Sequence, residues 1–494
     1  MMKKILSFAL VIAMMATMLA LGTSAADVWD GTADVSWYDP TKTEFTITTA
    51  KQLAGMAALS EQGATFQGVK FKLDADIVLN SGDAATWKDV PPANEWKPIG
   101  TKDAPFQGEF DGQGHTISGI FTPDPAGSKD DAVSNKGLFG YVGDAGDSVT
   151  VKVSNLFITN SLVQARLFAS ACIARAVGML NVTNVHVSKA TLIAWGDKNA
   201  DKATSNVDTG AVVGFLNSIT EAVIDNCSFV DGHAEGYVRV GGIVGGGNGI
   251  YLNVKNCYSN SYIAADNRPG GIIGHSGVSL VEVENCFFEG TVSALATPNY
   301  GGIFGGYRPG SGDISVKDCY YAGTYLVKGN ETTARVGCSE NGLMTDDSVY
   351  YSAFADDSSM TPSGNDPDGM EVEPKIAGDG ALAEFIKTLD TTRWDVSSGK
   401  PVLKTDVVIV PETPAEPETT QAPETTKAPE TTKAPETTKA PETTKAPETT
   451  KAPETTKAPE TDPAPAEGGC GAIIGGGIVV TMAILGCAWV SKRK

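Results

Sequence analysis

The stretch VGGIVGGGNG, residues 240–249, holds six glycines in ten positions, beside a β-branched run. Glycine this dense next to a strand can cradle a phosphate, but the stretch only approaches the G-x-G-x-x-G pattern and lacks a following Lys-Ser/Thr. Its core of small residues, two apolar residues and a glycine also recurs along the chain. We therefore predict that these glycines serve repeated backbone packing and that no nucleotide binds here.

The final position of this glycine motif recurs at intervals of 29 to 40 residues. It falls at Gly140, Ala174, Gly214, Gly245, Gly274, Gly305 and Gly337. A second motif, a valine-rich strand that ends in Asn or Asp, follows ten to fifteen residues after the glycine position. Its copies end at Asn155, Asn184, Asn226, Asn256, Asn285 and Asp318. Two motifs that recur in step indicate a repeat array.

Each repeat of about 30 residues contains short β-branched strands separated by Gly, Asn and Asp turns, without helical patterns between them. One such unit cannot bury its own apolar face, whereas stacked units can. The spacing predicts an all-β parallel β-helix, a solenoid in which equivalent residues lie about 4.8 Å apart.

Cysteines occupy one slot of the second motif in four successive repeats. They are Cys227, Cys257, Cys286 and Cys319. Because Leu156 and Val185 fill the same slot earlier, it requires an apolar side chain, and reduced core cysteines are expected. Disulfides between neighbouring repeats are the alternative. No His recurs with these cysteines and no C-x-x-C pair exists, so we predict no metal site.

The slot before each Asn or Asp carries alternating charges, at Asp225, Lys255, Glu284 and Lys317. A solvated ladder with favourable cross-strand pairs explains this column. The alternative is the charged face of a carbohydrate-active enzyme, which needs carboxylates, or a carboxylate with Lys or Arg, on one surface.

Two helices are predicted as caps of the array. In TTAKQLAGMAALSEQG, Leu53, Met56, Ala57 and Leu59 share one helical face, Thr48 or Thr49 is the N-cap, and Gly63 ends the helix. This helix would cover the open first layer, and GALAEFIKTLD (380–390) would do the same at the far end. Nearby, NDPDG (365–369) is expected to be a plain turn, because it lacks the glutamate and spacing of a calcium loop.

Both ends of the chain predict export and anchoring. Residues 1–26 have the charged, apolar and small-residue segments of a signal peptide. Residues 411–468 contain six APETTK units and predict a disordered Pro/Thr stalk, a wall-spanning spacer or else a plain linker. Residues 469–494 predict a transmembrane helix with a basic cytoplasmic tail, so the predicted localisation is single-pass membrane-anchored at the cell surface. The net charge of −21 argues against nucleic acid as a ligand.

The glycine repeats resemble the GLUG motif of bacterial cell-surface, adhesin-like proteins. The lead-in WYDPTKTEFTITTAKQLAGMAALSEQGATFQGVKFKLDADIVLN, the following WKPIGTKDAPFQGEFDGQGHTISGI and the closing RWDVSSGKPVLK are similar to theirs. The resemblance implies a right-handed parallel β-helix on an extracellular protein, often from anaerobic Gram-positive gut bacteria. The head divides into an N-terminal cap (27–64), a β-helix (65–340) and a C-terminal cap with a closing strand (341–410).

We predict a binding module rather than an enzyme, an adhesin for an extracellular glycan or protein ligand. Neither H-E-x-x-H nor G-x-S-x-G occurs, and we assign no catalytic, cofactor-binding or metal-binding residue and no cofactor. A carbohydrate-active enzyme (polysaccharide lyase or glycosidase) and a structural envelope protein are the alternatives. Exposed tryptophans would favour sugar binding, and the candidates are Trp29, Trp37, Trp87, Trp96 and Trp195.

Overall fold

The computed structural model describes residues 27–405 except 125–127, 129–132, 197–206, 297–298, 308–312, 333, 340–348 and 354–374. All of these residues belong to one unit, Met1–Ala415. The predicted signal peptide, stalk and anchor, and the NDPDG turn, lie outside the described residues.

The described chain contains two α-helices, a short 3-10 helix (Ala84–Thr86) and 32 strands. The helices are α1 (Ala50–Glu61) and α2 (Ala381–Ile386). The first strands are β1 (Glu44–Ile47), β2 (Lys70–Leu73), β3 (Ile77–Val78), β4 (Glu109–Asp111), β5 (Thr116–Ser118), β6 (Phe121–Thr122), β7 (Asn135–Lys136), β8 (Phe139–Gly143), β9 (Thr150–Ala165) and β10 (Phe168–Ala169). The middle strands are β11 (Ile173–Ala194), β12 (Asp208–Gly210), β13 (Val213–Asp225), β14 (Ser228–Val230), β15 (His233–Gly236), β16 (Arg239–Gly241), β17 (Val244–Lys255), β18 (Tyr258–Ser259), β19 (Tyr262–Ala265), β20 (Pro269–Gly270), β21 (Ile273–Glu284), β22 (Phe287–Phe288) and β23 (Thr291–Ala294). The last strands are β24 (Phe304–Tyr307), β25 (Asp313–Tyr321), β26 (Thr324–Val327), β27 (Asn330–Glu331), β28 (Gly337–Ser339), β29 (Val349–Ser352), β30 (Ile376–Ala377), β31 (Trp394–Asp395) and β32 (Val402–Leu403).

The strands form a largely parallel, 25-stranded sheet around an apolar core, together with a five-stranded sheet (β7, β10, β12, β16 and β20) and a two-stranded one. Strands pair in parallel with their counterparts in the next repeat, as in the series Val213, Val244, Ile273 and Phe304. The all-β prediction is therefore confirmed. The sheet is not a regular stack of equal coils, however. Its strands range from 2 to 22 residues, and register shifts interrupt several pairs, for example between β11 and β13.

The predicted localisation needs correction. Within the described stretches of 27–405, no helix is both long enough and apolar enough to cross a membrane. This contradicts the single-pass membrane-anchored assignment as far as the described chain extends. The predicted transmembrane helix, residues 469–494, lies outside the described residues.

The motif glycines lie where the backbones of successive layers approach closely, as the repeat pattern predicts. A Cβ on Gly245 would lie against the carbonyl oxygen of Gly214 and 2.7 Å from the carbonyl of Thr209. A Cβ on Gly214 would in turn lie 2.7 Å from the carbonyl oxygen of Ala174. The assignment of Gly337 to the glycine position of the motif is wrong by one residue. Gly337 pairs with Phe304, whereas the motif position of that repeat is Gly305.

The Asn/Asp slot of the second motif has a conformation that the sequence analysis missed. All six members have positive φ, between 47° and 58°, a region that Asn and Asp tolerate better than most other residues. The amide nitrogen of Asn226 donates to Asn184 Oδ1 at 2.9 Å, and that of Asn184 donates to Asn155 Oδ1 at 3.0 Å. These three side chains are buried, so the left-handed corners are joined by an internal ladder of amide hydrogen bonds.

His186 is attached to this ladder. Its ring is buried, with Nε2 at 2.7 Å from Asn184 Oδ1 and Nδ1 at 2.9 Å from Ser228 Oγ. Because Asn184 Oδ1 accepts from Asn226, the proton is assigned to Nε2 of a neutral imidazole. Burial lowers the pKa of His186 to about 3.

We expect this histidine to make folding stability depend on pH. In the unfolded chain its pKa is about 6.5, so its contribution is complete above that pH and is lost as the pH falls toward 3. Between pH 7.5 and 4.5 the free energy of unfolding should fall by about 3 kcal/mol more in the wild type than in His186→Gln. Urea unfolding of both proteins at the two pH values measures this difference; an equal fall in both would contradict the assignment.

The cysteine slot is apolar and buried, as predicted. Among the described residues, the cysteines Cys172, Cys227, Cys257, Cys286 and Cys319 are free and buried. The four slot thiols lie 3.2 to 3.4 Å from the carbonyl oxygen two residues earlier. Burial raises the pKa of Cys227, Cys257 and Cys286 well above the usual value, which keeps these thiols protonated and unreactive.

The N-terminal helix α1 agrees with its prediction. Thr49 is the N-cap and forms a capping box with Gln52, and Gly63 follows the helix end with φ 98°. Leu53, Met56 and Ala57 are buried in the main core, against which Leu59 packs.

The C-terminal segment departs from its predicted position as an end cap. In α2, Phe385 stacks on Tyr320 with ring centroids 5.5 Å apart, and it also contacts Phe287 and Tyr351. These aromatic residues occupy one column of three successive layers. Helix α2 therefore covers the outer side of the sheet, because that column exposes apolar rings that require burial.

Candidate functional site

An open polar groove crosses the first layers of the sheet and has a volume of about 490 Å³, a size typical of ligand sites. Its lining comes from β2, β4, β9 and β11 and from the residues directly before β1, β2, β4 and β9. The lining residues are Thr43, Gly68, Val69, Lys70, Gln107, Gly108, Glu109, Val149, Thr150, Lys152 and Asn181.

Parallel pairing places the polar side chains of this groove in one column. Lys70 pairs with Glu109, Glu109 with Lys152, and Lys152 with Asn181. Alternate residues of each strand point into the core, as with Phe71 beside Lys70. Polar groups on the outer face therefore repeat along the stack at the strand spacing of about 4.8 Å.

Most charges in and beside the groove are paired. Lys152 Nζ lies 2.8 Å from Glu109 Oε1, and the ammonium of Lys72 lies 2.5 Å from Glu44 Oε1. The hydrogen bond from Lys72 lowers the pKa of Glu44. The groove thus presents a nearly neutral surface of alternating sign, within a strongly acidic protein.

Two donors in the groove are left for a ligand. Among the described residues, the ammonium of Lys70 has one ion-pair partner, and it is distant: Nζ lies 4.0 Å from Asp111 Oδ2. The side-chain oxygen of Asn181 accepts from Thr183 at 2.8 Å, whereas no partner for its amide nitrogen occurs among the described residues. With the hydroxyls of Thr43 and Thr150, these groups suit a ligand that offers many hydroxyl groups.

The lining contains a single carboxylate, that of Glu109, and it is ion-paired with Lys152. Glycosidases that work with two carboxylates place both beside the scissile bond. The described lining of the groove thus differs from that two-carboxylate arrangement. Among the described residues no group of His, Cys, Asp and Glu could hold a metal ion.

The charged column predicted from the sequence is real but partly covered. Asp225 pairs with Lys255, Lys255 with Glu284, and Glu284 with Lys317. The C-terminal segment lies over its start, where Arg393 Nη2 is 3.0 Å from Asp225 Oδ2 and both side chains are largely buried. At Asp225 the column is therefore covered and ion-paired with Arg393, and this part of it is not the solvated ladder that was predicted.

The tryptophan candidates give little support for sugar stacking. Trp29, Trp87 and Trp96 are buried, and Trp37 packs against the rings of Phe45 and Phe71. Trp195 is half-buried. A ligand in the groove would therefore be held by hydrogen bonds, since no aromatic residue lines it.

The sequence analysis missed the groove because most of its residues lie in the lead-in, outside the clearest repeats. A signal is nevertheless present. The pairs Lys70-Phe71, Glu109-Phe110 and Lys152-Val153 each place a charge beside a core residue. Aligning these three pairs would have predicted the column of charged side chains that lines the groove.

Comparisons with known proteins leave the family undetermined. No family model and no curated protein matches the sequence. Among solved structures, the chain is similar to a putative immunoglobulin A1 protease from Bacteroides ovatus. The identity is 18%, the TM-score is 0.46, and the alignment covers 74% of this chain and 93% of that one. A likeness at that TM-score supports no conclusion about fold or activity.

Proposed function

We propose that this protein is a glycan-binding module and that the polar groove is its binding surface. One observation carries the proposal: Lys70, Glu109, Lys152 and Asn181 line a single open groove in strand register. Alternating donors and acceptors at a fixed spacing match a chain of sugar hydroxyls better than an apolar peptide. An adhesin-like role follows from this binding.

We further propose that the layers wind as one right-handed parallel β-helix of the GLUG type. The successive parallel pairs at intervals near 30 residues and the close backbone approach at Gly245 support this architecture. In such a stack, outward positions repeat along a straight line, which is the geometry that the groove requires.

The proposal predicts that binding of a glycan depends on the groove lysines. The purified chain is applied to a glycan array and to an array of matrix proteins, together with the double variant Lys70→Gln/Lys152→Gln. We expect glycan signals from the wild type and a loss of about ten-fold or more in the variant, since Lys70 loses its charge-assisted hydrogen bond to the ligand and the Lys152–Glu109 ion pair of the groove is removed.

Lys387→Gln is the matched control, because Lys387 is an exposed lysine paired with Glu384 in α2, away from the groove. It should bind as the wild type does. Circular dichroism and melting temperature establish that each variant is folded. Absence of any glycan signal, or equal signals from the wild type and the folded double variant, would refute the proposal.

A further inference from the structure

Arginine is concentrated at one corner of this acidic protein. Of the arginines that the structure describes, all but Arg393 lie in or next to the strands that flank the glycine motif. They are Arg166, Arg175, Arg239, Arg268 and Arg335. The net charge of the whole chain is −21. We call this region the arginine corner, because it is rich in cationic side chains within an acidic protein.

Arg175 is held there by aromatic rings. Its guanidinium carbon lies 5.1 Å from the ring centroid of Tyr141, 5.4 Å from that of Phe168 and 5.9 Å from that of Phe215. Phe168 and Phe215 stack on each other, with centroids 4.7 Å apart and planes 9° from parallel. Both phenylalanines are buried, so the position of the guanidinium is fixed by cation–π contacts.

The charge of Arg175 has no acidic partner among the described residues. Its Nε atom is buried without a hydrogen bond, while the side chain as a whole is only half-buried. Asp208, which pairs with Phe168 in strand register, is fully buried and already bound by Arg239, whose Nη2 donates to Oδ2 at 2.8 Å. The hydroxyl of Tyr141 likewise has no hydrogen-bond partner in the described part of the chain.

We propose that Arg175 and Tyr141 bind an oxyanion, a carboxylate or sulfate group carried by a ligand. The Arg fork and a phenolic hydroxyl on the same ring assembly supply charge-assisted and neutral donors. Rigid packing against Phe168 and Phe215 holds the fork in place before binding, which lowers the entropy cost of association. This site is separate from the polar groove, and its existence does not depend on the groove binding a glycan.

The test uses isothermal titration of the purified chain with sodium sulfate, glucuronate and neutral methyl glucoside at constant ionic strength. The wild type should bind both anions saturably, and an excess of methyl glucoside should not displace either anion. Arg175→Gln should weaken anion binding by about ten-fold or more, and Tyr141→Phe by a smaller factor. Preference for glucuronate would identify a sugar carboxylate, and equal binding would identify a general oxyanion site; both support the proposal.

Arg335→Gln is the control, because Arg335 also lies over a ring, 4.2 Å from the centroid of Tyr300, but in a different layer. It should leave the anion affinity unchanged. Where Arg175→Gln fails to fold, Arg175→Lys keeps a cation over the rings but loses the fork, and should still weaken binding. Absence of saturable anion binding in the wild type, or wild-type affinity in a folded Arg175 variant, would overturn the proposal.

Discussion

Replacing Gly245 with alanine is expected to lower the free energy of unfolding by about 3 kcal/mol. The added Cβ would enter the space of the Gly214 and Thr209 carbonyl groups of the layer before it. Backbone atoms on a neighbouring strand cannot rotate away as a side chain can, so both layers must shift. The bulkier Gly245→Val should damage folding further. Urea unfolding followed by circular dichroism measures both effects.

Gly277 provides the matched control for this prediction. It also lies inside a long strand, β21, but a Cβ added there would have the Gly247 carbonyl oxygen as its nearest neighbour, at 3.5 Å, an ordinary contact. Gly277→Ala should therefore change stability by less than about 1 kcal/mol. Equal effects at Gly245 and Gly277 would show that close backbone approach does not explain the glycine motif.

Replacing Asn184 with alanine should cost about 4 kcal/mol. The substitution places alanine at φ 58°, which is unfavourable by about 1 kcal/mol. It also leaves the donors of Asn226 and His186 unpaired inside the protein. A buried unsatisfied donor costs about 1–3 kcal/mol.

Asn184→Gly separates the two causes. Glycine accepts the left-handed backbone but supplies no side-chain amide. The Asn184→Gly protein should therefore be destabilised by about 1 kcal/mol less than the alanine variant. Chemical unfolding at neutral pH compares the two with the wild type. If neither variant loses more than about 1 kcal/mol, the buried ladder does not stabilise the corners in the way we describe.

The layered part of the fold could be predicted because it repeats. The glycine at 245 and the Asn at 226 recur at regular intervals, and stacking follows from that recurrence. The local geometry was harder to predict. A turn was expected at Asn226, but its positive φ and its bond to Asn184 depend on the neighbouring layer. Similarly, the sequence near Phe385 predicts a helix without indicating that it covers Tyr320.

The candidate sites depend even more on tertiary structure. Lys70 and Lys152 are distant in sequence and are brought into one groove only by strand register. Arg175 occurs in the degenerate copy of the glycine motif, where no sequence pattern distinguishes it from other charged residues. Its three rings come from different layers, so their convergence required the folded backbone.

Hydrogen exchange of the chain, with and without the glycan that gives the strongest array signal, tests the central claim most directly. The method reports which backbone amides are protected by the ligand. We predict slower exchange in the peptides that cover 68–70, 107–109 and 149–152, with Asn181, since these residues line the groove. Protection confined to other surfaces, with unchanged exchange in these segments, would contradict the assignment of the groove as the glycan-binding site.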